Sequence, residues 1–345
     1  MNANNDISLV VCTYNGSSQI KDLLDCLKTQ TANDRLKVIL VDDGSKDLTP
    51  VLVREWMTKN RELNLKFVSS GKNIGLPAAR NLGMSMVETD FVVFTDDDCR
   101  PGPTWIAEIL ETWNQVDRNT VALTGPVSSF STDSFNRRYV TQTKPVAAMG
   151  LGKNSSSLVE KFARYFKPTE LKSGDSVSAL VGANMSFRSF ALRKVFGFDV
   201  AIKFGSDDTI VSQKLRKQFG EESLKYFTNI ELQHNFAANF SDSLRRAYKY
   251  AIANAKNQKS NGPTKTLPLP TPALSLLLSL AICLPITLLS SVVLGLIAFP
   301  LVLAIVVFSL HLKLVNKDKE SMLYPYAKWV EELADNFGYV RGLFS

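Results

Sequence analysis

Residues 94–99 read Phe-Thr-Asp-Asp-Asp-Cys and close the apolar run Asp90–Asp98, which has the composition of a buried strand. Three consecutive carboxylates at the carboxyl end of a strand repel one another unless a cation or a basic partner offsets them. Oxygen donors of this kind suit Mg²⁺ or Mn²⁺, which bridges carboxylates to substrate phosphates. Asp96 and Asp98, two apart on an extended chain, would face the same side, one toward a nucleotide ribose and the other toward a diphosphate-bound metal. A bare Asp triplet is also compatible with a solvated acidic turn, so the neighbouring strand ends decide its meaning.

Outward from that triplet, short β-rich runs alternate with helical ones up to about residue 125, the pattern of βαβ units and a largely parallel sheet. Residues 7–15 and 36–45 read as strands, the first ending in Thr13-Tyr14-Asn15 and the second in Asp42-Asp43-Gly44-Ser45. Ser17 or Ser18 is a candidate cap for the helix after the first strand, with Ile20, Leu23, Leu24 and Leu27 at helical spacing. A helix at 49–60, a strand at 65–70 and a helix at 76–87 follow. Polar strand ends then line one edge of the sheet, where ligands bind in open α/β folds. The segment 73–83 adds Gly75, Arg80 and Asn81, and the Arg80 fork can neutralise phosphate oxygens. Beyond residue 128 the pattern weakens. Residues 178–195 read as a buried strand running into a helix, 205–220 as a helix entered through acidic residues and closed by Gly220, and 226–236 as a final strand.

In that order, the TYN strand, the DDGS strand, the G-x-x-x-x-R-N helix and the D-x-D strand resemble the family 2 glycosyltransferases, nucleotide-sugar enzymes of the GT-A fold. The resemblance covers about residues 6–240. It includes Gly-Ala-Asn-Met-Ser-Phe-Arg at 182–188 and Gly-Phe-Asp at 197–199, which match the family's acceptor-side segment. It implies an α/β GT-A fold with a central, mostly parallel mixed sheet. It also implies that Thr13, Tyr14, Asn15, Asp42, Asp43, Arg80, Asp96 and Asp97 bind a nucleotide sugar of UDP type. In that reading Asp42 accepts from the base and Asp96 contacts the ribose. Gly-Ser-Asp-Asp at 205–208 stands where the family has a Glu-Asp pair, so Asp208 becomes the catalytic base and Asp207 an acceptor-side residue beside Asn184. Asp98 becomes the main ligand of Mn²⁺ or Mg²⁺. His234 is a second candidate ligand, with a purely structural histidine as the plainer reading. Asn184 can equally be an amide that satisfies turn backbone, and Trp105 fits a core aromatic better than a sugar-stacking one. The family's supporting acid two residues after the base is Ile210 here, and the Q-x-x-R-W motif of processive synthases is absent, which disfavours long-chain polymerisation.

The remaining chain gives the chemistry an address. From Thr266 to Leu312, 47 residues contain no Lys, Arg, Asp or Glu, enough for two helical crossings joined by a turn between Leu289 and Gly295. A buried hairpin of a soluble protein is the competing reading. Net charge is −4 over residues 1–120, +6 over 121–240, +5 over 241–272 and 0 over 313–345, within a total of +7. The excess before the apolar run, Arg245, Arg246, Lys249, Lys256, Lys259 and Lys265, suits anionic headgroups rather than nucleic acid. Lysines on both flanks put both termini in the cytoplasm, with the enzyme on the cytoplasmic face of the inner membrane. The expected organisation is a catalytic domain at 1–240, a basic juxtamembrane segment at 241–270, a transmembrane hairpin at 271–312 and an amphipathic tail at 313–345. Four scattered cysteines and an N-terminus without a signal-like apolar core agree with a reducing compartment.

The function expected is a metal-dependent, inverting transfer of one sugar from a nucleotide-diphosphate sugar to a membrane-held, lipid-linked glycan acceptor in envelope or exopolysaccharide synthesis. Alternatives are a polyprenyl-phosphate glycosyltransferase and an inactive membrane scaffold of the same fold. A nucleotidyltransferase is disfavoured because no glycine-rich phosphate loop follows the first strand.

Overall fold

The computed structural model describes residues 6–143, 171–201, 205–261, 271–315 and 318–345. These fall into two compact units, one of residues 6–132 and 171–236, the other of 133–143 and 237–345.

The first unit is built on β1 (Ile7–Thr13), whose seven residues are all buried. Burial on both faces suits a strand at the centre of a parallel sheet. It pairs in parallel with β2 (Leu36–Asp42) and β4 (Phe91–Asp96), and β3 (Leu65–Ser69) lies beyond β2 at the edge. Helices α1 (Ile20–Lys28), α2 (Thr49–Lys59) and α3 (Leu76–Met84) make the crossovers. α1 buries Ile20, Leu23, Leu24 and Leu27 as their spacing predicts, but Gln19 rather than a serine stands at its N-cap, without a side-chain cap. The register aligns Thr13 with Asp42 and Cys12 with Asp96, so the polar strand ends form one rank.

Past β4 the sheet becomes mixed. β8 (Met185–Arg188) runs antiparallel to β4 and to β6 (Ala122–Thr124), and β9 (Leu224–Tyr226) closes the order β3-β2-β1-β4-β8-β6-β9. Helix α4 (Trp105–Gln115) packs Trp113 on Phe91 with ring centroids 4.9 Å apart, and its indole N–H donates to Ser186 at 2.8 Å. Trp105 is fully buried, so it is a core aromatic. The remaining elements of this unit are α6 (Ser189–Lys194) and α7 (Asp207–Phe219).

Two sequence expectations are corrected here. Residues 226–236 form not one strand but the end of β9 and a separate β10 (Leu232–His234), which joins β5 (Cys99–Pro101) and β7 (Val127–Ser129) in a second, three-stranded sheet. The strand expected within 178–195 is confined to 185–188, because Val181–Asn184 folds as a tight turn closed by Asn184 N–H to Val181 C=O at 2.8 Å. Most of the weakly patterned segment 128–175 lies outside the described residues; its described part supplies β7 and α5 (Phe135–Thr143).

In the second unit, α5 contributes Phe135 and Tyr139 to an aromatic cluster with Phe240 and Tyr324, centroids 5.6–6.3 Å apart. α8 (Phe240–Asn261) and α11 (Tyr324–Phe344) pack side by side in parallel, since Gly338 meets Tyr248 and Ala251 while Gly342 meets Ile252 and Ala255. α9 (Thr271–Leu289) and α10 (Val292–Leu310) form an apolar hairpin turned at Ser290–Ser291, inside the interval expected. At 19 residues each, they are long and apolar enough to cross a membrane. Only 22% and 11% of their most apolar windows are buried, and Leu288 and Leu296 are 77% and 71% exposed. A helix pair in a soluble core would hide those faces. The structure therefore favours membrane association.

Candidate active site

The strand-end rank of the first unit carries the acidic triplet, and each of its carboxylates has its own partner. Asp96, the last residue of β4, accepts from Arg80 Nη2 at 3.1 Å. Asp97 accepts from the Thr13 hydroxyl at 2.5 Å and from Gln19 Nε2 at 3.1 Å. Asp98 Oδ1 lies 3.1 Å from His234 Nε2. The three carboxylates thus have three separate sets of contacts, of which Arg80 on Asp96 supplies a permanent positive charge. The chain leaves extended geometry after Asp96 and turns through Asp97 and Asp98, so strand alternation does not apply there.

Burial drives the Asp97 carboxyl up to about 6, opposed by the Thr13 and Gln19 hydrogen bonds and reinforced by Asp96. Asp97 therefore ties the β1–α1 loop to the triplet. Gly16 permits this approach, because a β-carbon there would occupy the space of the Asp97 carboxylate and the Thr13 hydroxyl.

The DDGS loop is held equally tightly. Asp42 is buried and accepts from Ser45 N–H at 3.0 Å and the Ser69 hydroxyl at 3.1 Å. Asp43 is buried as well, and its two oxygens accept the backbone N–H groups of Ile74 and Gly75 at 2.7 and 3.0 Å. That contact anchors the entry to α3. Gly44 has φ +70°, and a β-carbon would run into the backbone of Lys72 and Asn73. Asn15, at φ 55°, accepts from Lys46 N–H at 2.8 Å and donates its own N–H to Ser45 at 2.9 Å. Tyr14 is 46% exposed beside it. Tyr14 therefore stands at the surface next to buried Thr13 and Asp42.

On the far side, Gly205 and Ser206 both adopt left-handed backbone and swing the chain into α7, whose first two residues are Asp207 and Asp208. Asp207 is ion-paired with Arg80, which also donates to Gly182 C=O at 3.1 Å. Arg80 is only 3% exposed and both of its Nη atoms are engaged by these partners, so in this structure it is an internal strut and not an open phosphate clamp. Asp208 Oδ2 accepts from Gly182 N–H at 3.1 Å and Oδ1 from Thr209 N–H at 2.7 Å. Burial pushes its carboxyl up to about 6, with Asp207 adding and Arg80 opposing. A carboxylate so poised is suited to accept a proton near neutrality.

Asn184 acts through the turn before β8. Its side-chain amide donates to Ile230 C=O at 2.7 Å and Pro126 C=O at 3.3 Å, while its own C=O accepts from Thr124. The turn it fixes carries Gly182, which touches both Asp208 and Arg80. This is the backbone-satisfying role weighed for it in the sequence.

The donors at Asp98, Cys99 and His234 lie within 4.8 Å of one another, brought together by the β5–β10 register that pairs Cys99 with His234. Burial holds the Cys99 thiol well above its ordinary range, so in the absence of a cation it is a neutral thiol. Asp98 and His234 supply an oxygen and a nitrogen donor, types that suit Mn²⁺ or Mg²⁺. Gln19 was not foreseen as part of the site. Its only signal in the sequence is its position two residues past the loop at Ser17.

The order of strands and the position of the acidic triplet are those of a nucleotide-sugar transferase fold. The glycosyl transferase family 2 profile matches residues 8–196, over half of the chain, and the chain belongs to that family. It is 28% identical over 230 residues to a chondroitin synthase of Pasteurella multocida, an alignment spanning 62% of this chain and 23% of that protein. It is 26% identical over 264 residues to a pre-mycofactocin glycosyltransferase of Mycobacterium tuberculosis, 76% of this chain and 50% of that one. The chain thus spans half or less of the length of these relatives. A mannosyltransferase from Pyrobaculum calidifontis, solved with GDP-Man and Mn²⁺, superposes with a TM-score of 0.61 at 19% identity, covering 98% of this chain and 88% of that one. That likeness establishes the GT-A fold.

Proposed function

We propose that the chain is an inverting glycosyltransferase that moves one sugar from a nucleotide-diphosphate donor of UDP type to a membrane-held, lipid-linked acceptor. The observation that carries this reading is Asp208: a carboxylate gripped by Gly182 and Thr209 N–H groups and raised to about 6, in the unit that also holds the Asp98–His234 donor pair.

An acceptor hydroxyl, far too weak an acid to ionise at neutrality, gives its proton to Asp208 as its oxygen attacks the anomeric carbon. The bond from that carbon to the diphosphate oxygen breaks on the opposite face, and the nucleoside diphosphate leaves with the electron pair. Attack opposite the leaving group inverts the configuration. Asp98 and His234 would hold the divalent ion, whose chemistry is to neutralise the diphosphate oxygens. Thr13, Tyr14 and Asp42 frame the base, and Asp96 reaches the ribose. Arg80 and Asp207 keep α3, β4 and α7 in register around the donor, and Asn184 holds the Gly182 turn against the base.

The apolar hairpin supports a membrane-held acceptor. The catalytic unit is read on the cytoplasmic face of the inner membrane, with both termini cytoplasmic. The absence of the processive motif supports addition of a single sugar.

The test is nucleotide release from a panel of UDP- and GDP-sugars in membranes carrying the wild-type chain or Asp208→Asn. Expected is release with one donor, Mn²⁺-dependent binding of UDP in both proteins and at least 100-fold slower transfer in the variant. Full transfer activity in Asp208→Asn would remove Asp208 as the base.

A further inference from the structure

In the second unit, an open groove of about 420 Å³ runs along α8 from Arg245 to Lys256, beside the C-terminal end of α11 at Arg341 and Ser345. Arg245, Lys249 and Lys256 line it from α8 and Arg341 from α11, over a floor of Tyr248 and Ile252. The α8 residues follow one stripe of the helix, at intervals of four and seven. Arg341 Nη1 donates to the Tyr248 hydroxyl at 2.9 Å, which fixes the fourth cation at the groove wall. No acidic side chain lines it among the described residues. Arg245 is paired with Asp242 on its own helix at 3.1 Å, so Lys249 and Arg341, one from each helix, are the cations that probe the groove.

We propose that this groove is a discrete site for the phosphate of an anionic membrane lipid. Charge complementarity requires an anion, and three further features select a lipid over a soluble phosphate. First, the floor is aromatic and aliphatic, fitting the glycerol and first methylenes of a lipid under a phosphate held by the cationic walls. Second, the groove belongs to the unit that carries the α9–α10 hairpin, and Tyr326 of α11 donates to Ala304 C=O of α10 at 3.2 Å, which couples its helix to a membrane-length element. Third, two glycines let α11 lie directly on α8, so the two walls form a fixed cleft instead of a loose row of surface lysines. This site is separate from donor binding and does not depend on the identity of the sugar.

The full chain is purified in detergent and titrated with short-chain phosphatidylglycerol, short-chain phosphatidylcholine and inorganic phosphate, with bound lipid counted by native mass spectrometry. Expected is one phosphatidylglycerol retained where phosphatidylcholine is lost. Lys249→Gln/Arg341→Gln should bind at least tenfold more weakly, since each basic residue near a headgroup is worth about fivefold. Lys249→Arg should retain the lipid, and so should Lys319→Gln, which removes an exposed cation outside the groove. Unchanged thermal midpoints exclude misfolding as the reason for any loss. Equal retention of the two lipids, an unaffected double variant, or an equal loss with Lys319→Gln would overturn the site. Displacement of the lipid by millimolar inorganic phosphate would overturn its assignment to a lipid.

Discussion

Arg80 and Asp207 form a buried ion pair across 127 positions of sequence, with side chains only 3% and 5% exposed. Burial alone would weaken the guanidinium's hold on its proton. Asp207 and Asp96 beside it more than offset this and raise it above its ordinary value. One side chain on α3 therefore joins the end of β4 to the start of α7, the element that carries the proposed base.

Removing one partner of such a pair leaves the other as an uncompensated buried charge, which costs about 3–5 kcal/mol. Asp207→Asn and Arg80→Met should each lower the thermal midpoint by roughly 6–20 °C in a unit of this size. The double variant should lose clearly less than the sum of the two, because neither charge is then stranded. Thermal unfolding of the four proteins measures the coupling. Strict additivity would mean that the pair contributes nothing as a pair.

The pH dependence of transfer follows from Asp208. Its carboxyl is raised to about 6, so the proton-accepting form is depleted below that pH, and the rate should fall about tenfold per unit on the acid side. The sign for stability is opposite. Between the ordinary carboxyl value and about 6 the folded protein holds a proton that the unfolded chain has released, so stability drops as pH rises through that window. Asp208→Asn should therefore be at least as stable as wild type at pH 7.5 while losing transfer. A pH–rate profile with no acid limb near 6 would count against Asp208 as the titrating group.

The candidate metal pair makes a separable prediction. His234→Gln should raise the Mn²⁺ concentration for half-maximal nucleotide release by at least about tenfold, with smaller effect at saturating metal. Asp98→Asn, which removes the anionic ligand, should be worse and not rescued by added Mn²⁺. Chelation with EDTA should stop release in the wild type, and readdition of Mn²⁺ should restore it.

The long elements were legible because their signals are local. β1, β2 and β4 are unbroken apolar runs ending in acids, α1 repeats its leucines at helical spacing, and the hairpin is a charge-free stretch of a length nothing else needs. The three-residue strands β5, β7 and β10 carry no periodicity, so 226–236 read as one strand although its two halves pair in different sheets. The site divides in the same way. The residue types at the strand ends were readable, while their partners were not: Arg80 read as a phosphate ligand because nothing in its neighbourhood announces Asp207. The two possible roles of Asn184 differ only in which carbonyls surround it, and those belong to Pro126 and Ile230.

The parallel packing of α8 and α11 rests on Gly338 and Gly342, one helical turn apart. A β-carbon at Gly338 would overlap the Tyr248 carbonyl and lie 3.0 Å from Ala251 Cβ; one at Gly342 would lie 2.7 Å from both Ala255 Cβ and the Ile252 carbonyl. These obstacles are backbone and short side chains, which cannot swing aside, so even alanine must push the helices apart. Gly338→Ala should cost about 1–3 kcal/mol and Gly338→Leu more, because overpacking cannot relax here. Gly102→Ala is the matched control, with open space around its β-carbon and no left-handed backbone. Limited proteolysis of the detergent-solubilised chain should release the C-terminal helix faster in the Gly338 variants and leave Gly102→Ala at the wild-type rate. Loosening that pair also widens the cationic groove, so Gly338→Leu should lose bound phosphatidylglycerol although every charge that lines the groove is still present.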